Sequence, residues 1–345
     1  MKNNNVITIA KVEDADEIMK FIDNEWKKGH ILGANKNYFL YEYANQNFLN
    51  FMISKNNNEI NGILGFLRSS TDDNATVWTT MWKVSRSSGS PMLGIHLLNY
   101  LRDQGYKSVM SNGINQNTEE IYKYLGFNVG LLKQYFIPNK SLEKYKIAII
   151  PKKISDESLS ISKDNNLLFK KIELRDLLKK FNFSKYLSRL PYKNIDYFNK
   201  RFFQHPIYSY DVYGIFDGSE LLSILVTRSV EYEKSTCMRI VDFYGQEDTL
   251  NTFAWHLSQI MYLKGHEYID IFSSGLSDNM MLNAGFKKLD ITQNEVVIPN
   301  YFEPFVQSNV SIRYFTDANN LSDLRIYKAD GDQDRPNLSN TGTFS

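Results

Sequence analysis

The sequence matches itself at a spacing of about 160 residues, and this repeat limits the fold more than any other feature. A chain of 345 residues is also longer than most single domains, so a duplicated domain accounts for both the length and the repeat. We predict domains over 1–150 and 165–345, with a polar linker near 140–165. The matched pairs, in the same order and with offsets of 159 to 161 residues, are Lys11 and Lys171, Tyr38 and Tyr197, Gly126 and Gly285, and Ile137 and Ile298.

Each copy shows the same order of predicted elements. A short strand and an amphipathic helix come first, followed by an aromatic-rich segment and two strands joined by a turn. The turns are Asn56-Asn57-Asn58 and Asp217-Gly218, and the latter is a good hairpin signal. A strand, a helix, a strand, a short helix and a last strand complete the copy. This order predicts the α/β (α+β) class, with two similar domains that are each a mixed, mostly antiparallel sheet flanked by helices.

Composition narrows the kinds of function to be considered. The chain carries 40 basic and 39 acidic residues, a net charge of +1, which gives no reason to expect nucleic acid or a membrane surface as a partner. Cys237 is the only cysteine, so an internal disulfide and a Cys-based metal cluster are excluded, and we expect no metal and a buried thiol. The N-terminal sequence has no apolar run typical of a signal peptide, and no stretch is apolar enough to span a bilayer. A cytoplasmic location is therefore expected.

A loop of small residues follows the strand predicted over Thr76–Ser85. It reads Arg86-Ser-Ser-Gly89-Ser-Pro91 and leads into a helix predicted over Met92–Gln104, where leucines recur every four residues. A strand, such a loop and a helix N-terminus together suit a pyrophosphate, because backbone N–H groups converge there and the helix adds partial positive charge. Loops of this kind also open many helices that bind no ligand.

A second motif lies farther along, from Asn115 to Phe127. Tyr122 follows Asn115 by seven residues, and Gly126-Phe127 follows it by eleven and twelve. Together with Arg86 and Gly89 in the loop, these spacings resemble the GCN5-related N-acetyltransferase (GNAT) superfamily. Pro91 stands where that family has glycine or alanine, and it removes one backbone donor from the loop.

The resemblance implies two GNAT-like domains and direct attack of an amine on an acyl-CoA thioester. Acetyl-CoA, or another acyl-CoA, would be the co-substrate, and Tyr122 would protonate the departing thiolate as general acid. Packing in the core is the other interpretation of Tyr122. The resemblance places the cofactor against Trp82, Val84, Arg86, Ser87, Ser88, Gly89, Ser90, Met92 and Asn115.

The acceptor amine needs a base, and His30 is the best candidate in the first copy. Its ordinary pKa of ~6.5 suits the task, and Trp26 and His30 lie where acetyltransferases of this type place acceptor-contacting residues. Tyr41 is included as a further acceptor contact. A structural hydrogen bond is the alternative role of His30, and Glu25 or a water chain could serve as the base instead.

The second copy lacks the phosphate-binding loop and the candidate general acid of the first. Tyr244-Gly-Gln-Glu-Asp248 stands where a phosphate loop is expected, and two acidic residues there would repel a pyrophosphate. Met281 takes the place of Tyr122. We therefore expect no coenzyme A in this copy. Its end, Asp330 to Asn337, carries Asp332, Asp334 and Arg335, side chains of the kind that bind sugar hydroxyls and nucleotides, although a solvated tail is the alternative.

The sequence favours an acyl-CoA-dependent N-acyltransferase acting on a small polar amine. An amino sugar, free or linked to a nucleotide, as in surface-glycan biosynthesis, is the expected acceptor, and the protein is expected to be a monomer or homodimer. One alternative is an aminoacyl-tRNA-dependent transferase like the Fem enzymes, which duplicate this fold. A basic patch for the tRNA could comprise Lys179-Lys180, Lys193 and Lys200-Arg201. The other alternative is a non-catalytic binding or scaffold protein.

Overall fold

The computed structural model describes residues 5–88, 90–156 and 163–337 and divides into two compact units. Unit 1 comprises Met1–Val129, Phe315–Ala318 and Gly331–Ser345, and unit 2 comprises Gly130–Tyr314 and Asn319–Asp330. Residues 130–150, which the sequence places in the first domain, thus group with unit 2. Two short pieces of the expected second domain group with unit 1.

A five-stranded sheet in the order β1-β3-β4-β5-β6 forms the centre of unit 1. Neighbouring strands are antiparallel except β5 and β6, which are parallel. The strands are β1 (Val6–Lys11), β2 (Ala44–Asn45), β3 (Phe48–Asn56), β4 (Glu59–Arg68), β5 (Thr76–Val84) and β6 (Ser108–Ile114). The α-helices are α1 (Ala15–Phe21), α2 (Ile31–Ala34), α3 (Lys36–Tyr43), α4 (Leu93–Arg102) and α5 (Glu119–Tyr124), and a π-helical turn spans Ile22–Trp26.

The core of unit 1 lies between its sheet and α4. Leu97 and Leu101 are fully buried against Val77 and Val109 of the parallel strands. Each buried leucine side chain contributes roughly 1.5–3 kcal/mol relative to exposure, so this face fixes the position of α4 on the sheet. The helix was predicted over Met92–Gln104, and its four-residue leucine spacing does place the leucines on the buried face.

Unit 2 has a six-stranded sheet in the order β7-β12-β11-β10-β9-β8, with β11 and β12 parallel and the other pairs antiparallel. Two elements, β7 and β16, cross the limit between the units in the chain. The strands are β7 (Asn128–Pro138), β8 (Leu168–Lys171), β9 (Asp211–Asp217), β10 (Glu220–Tyr232), β11 (Ser235–Gly245), β12 (Tyr268–Ser274), β13 (Lys287–Lys288), β14 (Tyr301–Phe302), β15 (Phe305–Val306), β16 (Ile312–Thr316) and β17 (Ile326–Tyr327). The α-helices are α6 (Lys152–Ser155), α7 (Leu174–Lys180), α8 (Ile195–Phe198), α9 (Leu250–Lys264) and α10 (Asp278–Asn283).

Part of the expected linker is packed into unit 2. Ile147 and Ala148 are 0% and 2% exposed, and their backbone N–H groups donate to the carboxylate of Glu267. Glu267 is itself only 1% exposed, so these charge-assisted bonds compensate its burial and hold the segment in place. Residues 157–162, which include most of the Ser-rich stretch, lie outside the described residues.

The predicted fold class is confirmed: both units contain a mixed, mostly antiparallel sheet flanked by helices. Cys237 is buried, and burial raises its thiol pKa to about 12. Within the described ranges, none of the helices combines the length and the apolar character needed to cross a membrane.

Candidate functional site

The parallel strands of unit 1 separate part-way along their length. β5 and β6 pair from Thr76 with Ser108 as far as Thr79 with Ser111. β5 continues to Val84 and β6 to Ile114, and their described residues show no pairing beyond that point. The backbone N–H and C=O groups that face this opening need partners, because an unpaired buried peptide group is costly. The opening, called here the wedge of unit 1, is thus suited to an extended ligand.

A bulge at Met81 changes which side chains line each face of β5. Met81 has a φ of 32°, and the register with β4 shifts between Ile63 and Gly65. Because one extra residue reverses the alternation of side chains, Trp82 and Val84 lie on the α4 face together with Val77. The preceding residue Thr80 lies on the opposite face, where the hydroxyl of Tyr43 is 3.0 Å from its Oγ1. Thr80 before the bulge and Trp82 and Val84 after it therefore lie on opposite faces of the sheet.

The predicted phosphate loop lies between the end of β5 and the start of α4. Arg86–Ser88 form one 3-10 turn, Arg86 is exposed, and the amide of Ser90 lies 3.4 Å from Oγ of Ser88. Met92 is the residue before the first turn of α4, makes no side-chain capping hydrogen bond, and is 51% exposed. An anion at this position would meet the positive end of the helix dipole. Gly89 and the side chain of Ser87 lie outside the described residues.

Tyr122 lies on α5 beside the splayed part of β5. Its ring centroid is 6.1 Å from that of Trp82 and 4.4 Å from that of Phe315. Burial raises the pKa of the Tyr122 hydroxyl, against a smaller lowering by a hydrogen bond with Thr118. A phenol that holds its proton at neutral pH can act as a general acid. Core packing and this chemistry are compatible, because the ring packs while the hydroxyl remains the reactive group.

The other residue of the second motif, Asn115, has a structural partner. Its side-chain carbonyl accepts a hydrogen bond from the amide of Asn117 at 2.9 Å, which caps the turn before α5. The same turn positions Thr118, whose Oγ1 donates to the carbonyl of Asn115 at 2.7 Å. Asn115 therefore helps to place the helix that carries Tyr122, and its contact with a cofactor stays a prediction.

Residues 331–335 of unit 1 lie on the face opposite α4. Nη1 of Arg335 is 2.8 Å from Nε2 of His30, and its Nε is 3.2 Å from the carboxylate of Asp332. Burial would lower the pKa of Arg335, but the charge of Asp332 and smaller effects of Tyr43, Tyr38 and Glu42 outweigh it and raise the pKa. The guanidinium therefore stays charged although its side chain is only 14% exposed.

His30 is held neutral by this environment. Burial lowers its pKa to about 3, and the charges of Arg335 and Lys27 contribute to the lowering. A guanidinium only donates, so Nε2 of His30 must accept and the ring proton must sit on Nδ1. Nδ1 is also 3.2 Å from the amide of Leu32, where it caps α2. A neutral imidazole cannot accept at both nitrogens, so these two contacts compete.

Aromatic and acidic side chains of α3 surround the same cation. The hydroxyl of Tyr38 donates to Glu42 at 2.9 Å, and Glu42 is 6% exposed. Burial and the charge of Asp332 raise the pKa of the Tyr43 hydroxyl, so it stays protonated. The predicted acceptor contact Tyr41 stacks on Tyr38 with ring centroids 6.1 Å apart. Asp332 and Arg335 thus join the His30 side of unit 1, as a common acceptor site requires.

Other predicted residues lie in different surroundings. Asp334 is 1% exposed, and Trp26, at the end of the π-helical turn, is 45% exposed. Glu25 accepts a hydrogen bond from Oγ of Ser85 at 3.1 Å, which places this carboxylate at the end of β5. The acceptor and catalytic roles of these residues stay predictions.

Gln333 and Gly113 fix the position of residues 331–335, and neither was predicted from the sequence to do so. The side-chain amide of Gln333 donates to the carbonyl of Asn112 at 3.1 Å, one residue beyond the last pair of β5 and β6. Gly113 has a φ of +91°, and a Cβ there would lie 2.0 Å from Nε2 of Gln333. A glycine inside a strand often marks such a close approach, and that signal was available in the sequence.

Unit 2 has a corresponding opening that its own chain fills. The parallel pairing of β11 with β12 ends at Ile240 and Ile271. Beyond it, β17 pairs with Ser273 and Ser274 of β12, and the amide of Ala329 donates to the carbonyl of Val241 at 2.9 Å. Residues 326–330, called here the plug, therefore supply hydrogen-bond partners that an extended ligand would need. Lys193 holds the end of the plug, since its Nζ is 2.7 Å from Asp242 and 2.9 Å from Asp330.

The loop after β11 carries a carboxylate that forms ion pairs with two arginines of unit 2. Glu247 lies 2.7 Å from Nη1 of Arg189 and 2.6 Å from Nε of Arg325. Burial raises the pKa of Glu247, but hydrogen bonds from the two arginines outweigh it and lower the pKa. Met281 is fully buried in the core of unit 2 and carries no titratable group. A carboxylate thus stands where a phosphate loop would receive an anion.

Three solved structures are similar to this chain over most of its length. A GCN5-related N-acetyltransferase from Anabaena variabilis has a TM-score of 0.58 at 11% identity, covering 91% of this chain and 72% of the other. One from Kribbella flavida has a TM-score of 0.53 at 9% identity, covering 91% and 70%. A conserved protein from Enterococcus faecalis, described as a probable N-acyltransferase, has a TM-score of 0.56 at 6% identity, covering 90% and 72%.

No protein-family model and no curated protein matches the sequence. At these identities, structural likeness concerns the fold, and the same fold can carry different functions. The fold of this chain is that of the GCN5-related N-acetyltransferases.

Proposed function

We propose that this protein is an acyl-CoA-dependent N-acyltransferase, with acetyl-CoA as donor and a small polar amine, such as an amino sugar, as acceptor. The observation that carries the proposal is the wedge of unit 1, where β5 and β6 separate after Thr79 and Ser111. The backbone of β5 beyond Thr79, which is not paired with β6, suits the amide groups of a pantetheine arm. The loop Arg86–Ser90 and the start of α4 would receive the pyrophosphate.

The reaction needs a proton donor on one side of the wedge and a proton acceptor on the other. Tyr122 holds its proton and lies beside Trp82, so it can protonate a departing thiolate. Backbone N–H groups of β5 after the bulge would stabilise negative charge on the thioester oxygen. That of Ser85 is not among them, because it donates to the carbonyl of Asn61 at 2.9 Å. His30 is neutral, as a proton acceptor must be, and lies on the acceptor side beside Arg335. The fixed positions of both groups would bring the reactants together.

Each chain is proposed to bind one acyl-CoA, in unit 1. The plug takes the hydrogen-bonding positions in the wedge of unit 2, and the Glu247 carboxylate lies between Arg189 and Arg325. Both features work against a second pyrophosphate and pantetheine site. They also support a duplication in which the two copies took different roles.

Calorimetric titration with acetyl-CoA tests the proposal. We expect one site per chain, abolished by Gly89→Arg, which would fill the loop. The matched control is Asp248→Arg at the corresponding exposed loop of unit 2, which should leave binding unchanged. If neither the unsubstituted protein nor Asp248→Arg binds acetyl-CoA, the acyltransferase proposal is contradicted and the alternatives are favoured.

The aminoacyl-tRNA-dependent alternative needs a basic surface patch. Lys193 and Arg201 of the expected patch are only 1% and 6% exposed, which leaves little of that patch at the surface.

A further inference from the structure

Residues 331–335 lie across the wedge of unit 1 on its acceptor side. Gly331 has a φ of +66°, and a Cβ there would be 3.5 Å from Trp78 and 3.6 Å from Asn112. Gln333 is hydrogen-bonded to the carbonyl of Asn112. These contacts reach both strands at the point where they separate. Residues 331–335, called here the strap, therefore cover the mouth of the wedge.

The strap places a cation against the predicted base. The guanidinium of Arg335 donates to Nε2 of His30 at 2.8 Å. An amine that attacks a thioester must give a proton to a base, and it approaches that base through the same kind of N–H contact. Arg335 thus makes the hydrogen bond that the substrate amine would make.

The surroundings of Arg335 are those of a binding pocket for a cation. Outside the strap, Glu42 supplies negative charge, and Tyr38 and Tyr43 supply aromatic rings and hydroxyls. Tyr43 is in turn 3.0 Å from Thr80, the residue that follows the last paired position of β5. The pocket and the wedge are therefore adjacent, as acyl transfer requires.

The contacts of His30 indicate that the strap can leave. Its ring cannot accept from Arg335 and from the amide of Leu32 at the same time, so one of the two donors is unsatisfied whenever the strap is seated. Release of Arg335 lets Nδ1 accept from Leu32 and cap α2 until an amine takes the place of Arg335 as donor to Nε2. The hydrogen bond to Leu32 then offsets part of the free energy needed to release the strap.

We propose that the strap is an internal surrogate for the acceptor, in which Arg335 occupies the pocket of a cationic primary amine and must move away for that amine to reach His30. This rests on the proposed acyl transfer and defines its acceptor class. The pocket suits an ammonium or guanidinium group. A nucleotide-linked acceptor would bring a diphosphate toward Glu42, and like charges repel.

The test uses the full chain with Arg335→Ala and ethylguanidinium as the probe. Calorimetry should show at least tenfold tighter binding of ethylguanidinium to the variant than to the unsubstituted protein. Glu42→Gln added to Arg335→Ala should weaken this binding about tenfold, a typical effect of a charged hydrogen bond. Arg175→Ala, at an exposed arginine of unit 2, is the control and should bind no more than the unsubstituted protein. Equal binding to the unsubstituted protein and Arg335→Ala would overturn the proposal.

Turnover provides an independent arm. With glucosamine and spermidine as acceptors, Arg335→Gln should lower the KM of the amine at least fivefold and leave the KM of acetyl-CoA unchanged. Arg335→Lys should retain the high KM. A raised amine KM in Arg335→Gln would show that Arg335 contacts the substrate instead of replacing it. If Arg335→Ala binds ethylguanidinium but no turnover is detected, the cation pocket is supported and the acyltransferase proposal is refuted. If turnover is detected without ethylguanidinium binding, the acyltransferase proposal is supported and the cation pocket is refuted.

Discussion

Nη1 of Arg335 lies 2.8 Å from Nε2 of His30, so a permanent cation faces an imidazole that is only 3% exposed. Burial first, and the charges of Arg335 and Lys27 next, lower the His30 pKa to about 3. The folded protein therefore excludes the charged form of His30. This relationship determines how the stability of the protein should depend on pH.

The stability contributed by neutral His30 should be lost in acid. In the unfolded chain the pKa is about 6.5, so this contribution is complete above that pH and decreases as pH falls toward 3. His30→Gln can still accept from Arg335 but does not titrate. Between pH 7 and pH 4, the melting temperature of the unsubstituted protein should fall more than that of His30→Gln. Parallel curves would contradict the assignment.

Tyr122→Phe should separate chemistry from binding. The ring keeps its packing against Trp82 and Phe315, while the raised-pKa hydroxyl is lost. We expect kcat to fall roughly 100-fold, within the usual range for a general acid, with little change in the KM of acetyl-CoA. Tyr124→Phe is the matched control, since Tyr124 is on the same helix and 90% exposed. Equal kcat values for both variants would leave Tyr122 as a packing residue.

Lys193→Met should be strongly destabilising. Lys193 is 1% exposed, and its removal leaves the buried carboxylates of Asp242 and Asp330 without their cation. Breaking a buried ion pair in this way costs about 3–5 kcal/mol, which urea unfolding measures directly. Lys36→Met removes an exposed pair with Asp16 and should change the unfolding free energy by less than about 1 kcal/mol. Similar losses in both variants would contradict the role of Lys193.

Gly275→Ala should loosen the plug. Gly275 has a φ of +98°, and a Cβ there would lie 1.9 Å from the carbonyl oxygen of Leu324. Hydrogen exchange of residues 324–330 should therefore become faster. Gly265→Ala is the control, because Gly265 also has a positive φ, +69°, but has no atom within 4 Å of the added Cβ. If both variants exchange alike in that segment, the close approach does not hold the plug.

Regular elements were predictable because their signals are local. The leucines of α4 recur at helical spacing, and Gly218, with a φ of +54°, turns the β9–β10 hairpin that Asp217-Gly218 predicts. The loop before α4 and the choice of Tyr122 as candidate general acid followed from spacing and family resemblance. These features depend on neighbours within about a dozen residues.

The strap, the plug and the packed linker were not predictable, because their partners are distant in the sequence. Gln333 bonds to Asn112 over a separation of 221 residues, and Ile147 bonds to Glu267 over 120. β17 has only two residues, too few for any alternation to appear. The sequence shows that the C-terminal segment is rich in hydrogen-bonding side chains, but it does not indicate that Arg335 contacts His30.

The bulge at Met81 has a consequence for how this protein can diversify. Trp78 and Thr80, before the bulge, face the strap and the acceptor pocket, whereas Trp82 and Val84, after it, face α4 and Tyr122. Substitutions at these two pairs of positions therefore affect opposite faces of the sheet, although the four residues belong to one strand. Under the proposed acyl transfer, the first pair would affect the choice of amine and the second pair the binding of the thioester donor.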